Sequence, residues 1–136
     1  EIYDDFAAAD LIVAHNVRFD INFMIAEFCY QDRRFRYKNE FDTMKFFTPI
    51  MKLTRENHKG YKYPKLSEMI EYLDIYPYDV TRKTAELFSV TGAGGHDARY
   101  DSTALYLAFN EGAKRVEELS DIKRKHISHS SDEDDF

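Results

Sequence analysis

Leu11-Ile12-Val13-Ala14 is an unbroken run of four apolar residues between Asp10 and His15. It is far short of the roughly 20 residues a membrane-spanning helix needs. It is also too short for a helix buried all round, so it reads as a strand covered on both faces. Strands of that kind belong to parallel sheets with helices packed on either side. Asn16 follows closely and offers a helix cap. Val17–Tyr30 then reads as a helix, with Phe19, Phe23, Ile25 or Ala26, and Tyr30 recurring at helical spacing.

The rest of the chain repeats this alternation. Glu1–Asp10 reads as a helix end or connector. Arg36–Phe41 alternates and predicts a second strand ending at Asp42-Thr43. Helices are predicted over Met44–Leu53, broken near Pro49, and over Lys65–Leu73, where Leu66, Met69, Ile70 and Leu73 share a face. Two more are predicted over Thr81–Val90 and Asp97–Leu119. Thr54–Pro64 reads as polar loop and Tyr76–Tyr78 as a turn around Pro77. Thr91–Gly95 holds three of the five glycines and reads as a mobile or tightly turned loop. Strands alternating with helices give an α/β layer architecture, and 136 residues suffice for one domain.

Charge divides the chain unevenly. Nineteen basic and twenty-five acidic residues give a net −6. The tail Ser128–Phe136 carries Asp132, Glu133, Asp134 and Asp135 and no Lys or Arg, so disorder is expected there. The expected organisation is a domain over 1–119 and an acidic disordered tail over 120–136. Arg33–Lys65 is the opposite, with ten basic residues against three acidic ones. Aromatics interleave with those cations, which suits a polyanionic partner. Cys29 is the only cysteine, which excludes an internal disulfide and a cysteine-rich zinc site. A reducing, cytoplasmic setting is expected. No membrane partner is expected, and the acidic start Glu1-Ile2-Tyr3-Asp4-Asp5 is unlike a secretory signal.

Two constellations can carry chemistry. In His15-Asn16-Val17-Arg18-Phe19-Asp20, a carboxylate sits just past the carboxyl end of a strand, where α/β sheets place ligands. Asn16 and Asp20 are four apart and share a helix face. The plainer role for Asp20 is to complement the helix dipole. In His96-Asp97-Ala98-Arg99-Tyr100-Asp101, a five-residue offset would turn His96 and Asp101 apart on one helix. They converge only if Asp97 caps the helix and His96 lies ahead of it. A glycine-hinged His beside a helix-anchored Asp suits a general base next to a metal carboxylate.

Together these residues resemble a known family. Leu11-Ile12-Val13-Ala14-His15-Asn16-x-x-Phe19-Asp20 resembles the second motif of the DEDDh exonucleases, and Gly95-His96-Asp97-Ala98-x-x-Asp101 resembles the third. That family includes the proofreading epsilon subunit of bacterial replicative polymerases and ribonuclease T. Phe41-Asp42-Thr43 and the stretch from Pro64-Lys65-Leu66-Ser67 to Asp74-Ile75 resemble the connecting segments, so order and spacing agree from about residue 6 to residue 112.

The resemblance implies a ribonuclease H-like exonuclease fold, a mixed sheet flanked by helices. It implies stepwise hydrolysis at a single-stranded or frayed 3′ end of DNA or RNA, of the proofreading kind, with two Mg²⁺ or Mn²⁺ ions. Asp101 and Asp20 would be metal ligands, and His96 the base that takes the proton from the attacking water. His15, Asn16 and Phe19 would contact nucleic acid. A polymerase is an implied partner.

The family's first motif, D-x-E on an apolar strand, does not occur in the fourteen residues before His15. The expectation is therefore the C-terminal two-thirds of such a domain, with the N-terminal strands missing. It should bind metal poorly and be inactive alone, and it should leave the edge beside Leu11–Ala14 open to pairing. The competing expectation is a non-catalytic nucleic-acid or protein binding module on the same fold. A different metal-dependent phosphohydrolase would need His58 and His15 as ligands, and both are poorly placed for it.

Overall fold

The computed structural model describes residues 2–57 and 59–127. Helix α1 (Ile2–Ala8) leads into strand β1 (Ile12–Ala14), and helix α2 (Val17–Tyr30) returns the chain to strand β2 (Glu40–Asp42). The strands pair in parallel, Ile12 opposite Glu40 and Ala14 opposite Asp42, in a two-stranded sheet. Five helices follow: α3 (Thr43–Met51), α4 (Leu66–Tyr72), α5 (Pro77–Phe88), α6 (Ala98–Arg115) and α7 (Glu117–Ile127). The class is mixed α/β, dominated by helix. No helix among the described residues is long and apolar enough to cross a membrane.

The main core lies among α3–α7. Phe47, Met69, Leu73, Val80, Ala104, Ala108 and Leu119 are essentially inaccessible there, and Leu11 and Val13 pack against it from one face of β1. On the other face Ala14 joins Val17 and Ile21 of α2. Each face of β1 thus meets packed residues, but Ile12 and Val13 stay half-exposed because the sheet stops at two strands.

Helix α2 has the expected limits and the opposite orientation. Val17, Ile21 and Phe28 face inward. Phe19, Phe23, Ile25 and Tyr30 face outward, Phe19 at 67% and Tyr30 at 89% exposure. Both sets recur at helical spacing, so periodicity alone does not choose the packed face.

Other boundaries moved for identifiable reasons. Arg36–Asn39 forms no strand, and pairing begins only at Glu40. Helix α3 runs through Pro49 to Met51, because Phe47 and Ile50 anchor it in the core despite the lost amide donor. Pro77 starts α5 instead of forming a turn, since its fixed φ suits the first helical position.

The expected last helix is two helices, parted at Val116, where the backbone is extended. That break lets α7 fold back on α6. Gly112 permits the close approach: a Cβ there would stand 2.8 Å from Leu119 Cδ2 and 2.9 Å from Phe47 Cζ. The expected domain limit at residue 119 therefore falls inside α7, where Leu119 is buried and Ile122 packs on the core. Residues 120–127 are helix, not tail, and Arg124, Lys125 and His126 complement its carboxyl end. Ser128–Phe136 and His58 lie outside the described residues.

Candidate active site

At the carboxyl end of β1, His15 ties three elements together. Its Nε2 donates to the Pro64 carbonyl at 2.7 Å, and its Nδ1 lies 2.9 Å from the Thr43 hydroxyl. Thr43 is fully buried and also donates to the Ala14 carbonyl. Both ring nitrogens of His15 are therefore engaged in joining β1, α3 and the approach to α4.

Asn16 takes the cap position of α2 in a left-handed conformation, φ 79°, which Asn tolerates better than most residues. Its side chain makes no capping bond. The helix start is held from across the sheet by Asp42. One carboxylate oxygen accepts from the Asn16 amide at 2.9 Å and the other from the Val17 amide at 3.2 Å. The first oxygen also accepts from the Met44 amide at 2.9 Å, capping α3. One side chain thus serves two helix N-termini. Asp42 carries a role that the sequence reading did not assign; its signal was an Asp directly before a predicted helix.

Asp20 sits in the first turn of α2. Its carboxyl is pushed above the usual range, first by partial burial and then by the Asp42 charge, while His15 pulls it back. A raised native pKa means that the ionised form is disfavoured on folding. That penalty is full above the native pKa and is relieved as pH falls through it. Asp20→Asn should therefore raise the metal-free melting temperature at neutral pH by about 1–2 °C, a small gain because the site is solvated. The gain should vanish in acid. Melting curves from pH 3 to pH 8 test this, and a gain that grows in acid would contradict it.

The second group lies at the start of α6. His96 adopts a left-handed backbone, φ 73°, one residue ahead of the cap Asp97. The Asp97 side chain accepts from the Arg99 amide at 2.8 Å and is gripped by its guanidinium at 2.9 and 3.1 Å. Those bonds hold its carboxyl down to about 2. Turned back in this way, the His96 amide donates to Asp101 Oδ1 at 3.4 Å. The His96 ring is exposed and has no hydrogen-bond partner among the described residues. His96 and Asp101 open onto a cleft of about 920 Å³, whose far wall is built from Lys65, Ser67 and Ile70 of the α4 region. Burial and the Asp101 charge push the Tyr100 phenol up beside it.

The two groups meet through one short segment. His15 grips the Pro64 carbonyl, and the next residue, Lys65, lines the cleft. Among the described residues no hydrogen bond, ion pair or electrostatic coupling links Asp20 to Asp101 directly. Nor do three His, Cys, Asp or Glu side chains gather in a metal-holding group there. The donor chemistry fits a hard cation, since Asp20 and Asp101 offer carboxylate oxygens and the Asp42 carboxylate adds negative charge near Asp20. The fit is that of a partial donor set. Phe19 points into solvent beside Asp20 and makes no ring contact among the described residues. No protein family, curated protein or solved structure matches the chain.

Proposed function

We propose that this chain carries the catalytic end of a DEDDh-type, ribonuclease H-like 3′–5′ exonuclease, acting on a single-stranded or frayed 3′ end, most simply in DNA proofreading beside a polymerase in the cytoplasm. The observation that carries the reading is His96. It stands outside α6 with an unengaged ring and bends back onto Asp101 at the mouth of an open cleft. The contact is made by the His96 backbone amide and leaves the ring free near a carboxylate, which supports a proton acceptor beside a metal ligand.

Asp20 and Asp101 would hold Mg²⁺ or Mn²⁺ together with a D-x-E pair, a motif that these 136 residues do not contain. When bound, such ions neutralise charge at the scissile phosphate and make water a better nucleophile. The chain's own residues do the rest. His96 accepts the proton of the attacking water. Asp97, locked to Arg99, fixes where His96 leaves the helix. His15 and Asp42 hold the α2 start, and with it Asp20, against the sheet. Lys65, on the wall facing His96, supplies a cation for the substrate phosphate.

The test uses the full-length protein with a 5′-labelled single-stranded oligonucleotide and Mn²⁺. The expected result is a ladder of products shortened one nucleotide at a time from the 3′ end. Tight, salt-sensitive binding with no shortening in either Mn²⁺ or Mg²⁺ would replace this reading with the non-catalytic binding module.

A further inference from the structure

The segment after α2 is a rail with its cations on one side. Asp32 turns the chain with a left-handed φ of 56°, and the Arg33 amide is fixed to the Phe28 carbonyl at 2.8 Å. From there exposure alternates residue by residue. Arg34, Arg36 and Lys38 are exposed, while Phe35 and Tyr37 are half-buried. The inward pair pack on Ala14, Val17 and Ile21. Phe35 also stacks edge-on against Phe6 and Phe28, with centroids 5.3 and 5.2 Å away. The Tyr37 hydroxyl donates to Glu40 at 2.8 Å. The rail is therefore held by its aromatic side and free on its basic side.

Arg34 and Arg36 make no ion pair among the described residues. Lys38 meets Asp10 at 3.7 Å, an exposed and loose contact that a phosphate can displace. In extended chain, residues two apart are separated by about 6.6 Å. That is comparable with the through-space separation of successive phosphates, which wind around the axis of a stacked strand, so the three cations can meet neighbouring phosphates. A bilayer fits less well, because the apolar side chains of the rail face inward and leave nothing to insert.

We propose that Arg34, Arg36 and Lys38 form a phosphate rail for a single nucleic-acid strand, separate from the His96 cleft. The choice of polymer rests on the exonuclease reading above; the rail itself does not. The test is binding of a fluorescent oligo-dT by the full-length protein in EDTA, where no turnover occurs, across a salt series. Its comparison is the triple variant Arg34→Gln, Arg36→Gln, Lys38→Gln, in which all three side chains are exposed and circular dichroism should show an unchanged fold. The expected result is a slope of log affinity against log salt shallower by about 2, from three lost contacts to a single strand. An unchanged slope overturns the proposal. So does loss of binding to phosphatidylglycerol vesicles with oligo-dT binding intact, which would make the rail a membrane contact. Because the readout is binding, an inactive protein can still show the rail, and an active nuclease can lack it.

Discussion

Alanine at Asp101 or at His96 should remove most of the nuclease activity of the full-length protein, by two separable routes. Loss of a general base lowers turnover by about 10²–10⁴-fold. His96→Ala should fall in that range and keep its affinity for Mn²⁺. Its exposed position should also let added imidazole restore part of the rate, because the space left by the ring opens on the cleft. Asp101→Ala should lose at least as much rate, bind Mn²⁺ more weakly, and gain nothing from imidazole. Neither change should lower the melting temperature appreciably, since among the described residues the His96 ring has no hydrogen bond and the Asp101 carboxylate has only the long contact from the His96 backbone amide. Single-turnover rates, Mn²⁺ titration and melting curves separate the two routes. Full activity in His96→Ala would remove the base from the mechanism. A His96→Ala protein that also lost Mn²⁺ would make the residue a ligand.

What the sequence made legible follows from the range of the interactions involved. The β1–α2 unit was readable because its signals are local: an apolar run, a cap position and a long helical stretch within twenty residues. The offset of His96 from α6 was readable for the same reason, since helix geometry alone forbids a five-residue pair from converging. The packed face of α2 was not, because Phe19 and Phe23 repeat as regularly as Val17 and Ile21. Only contact with the sheet distinguishes the two stripes. Nor was the break at Val116 readable: it depends on Leu119 reaching Phe47 across the Cβ-free surface of Gly112. The joining of the two candidate groups is longer in range still. It runs from His15 to Pro64, forty-nine residues apart, through a backbone carbonyl that no side-chain pattern announces.

Asp42→Ala should be the most destabilising single change near the site. It leaves the amides of Asn16, Val17 and Met44 without their acceptor. A lost cap costs about 1 kcal/mol, and each partly buried donor left unpaired adds a comparable amount. The expected total is about 2–3 kcal/mol, or roughly 6–12 °C in melting temperature for a chain of this size. Asp42→Asn should lose less, since its carbonyl oxygen still accepts while its amide group faces a backbone donor. Amide exchange at Asn16, Val17 and Met44 should accelerate in both variants. An alanine variant that melts with the wild type would show that water replaces these bonds at no loss. The asparagine variant also tests the electrostatics. The Asp42 charge raises the Asp20 carboxyl, so removing it should move the Asp20 titration to lower pH, as read from its carboxyl carbon resonance. Asp42 would then hold the α2 start in place and also add negative charge beside Asp20, and it is that charge which favours a cation there.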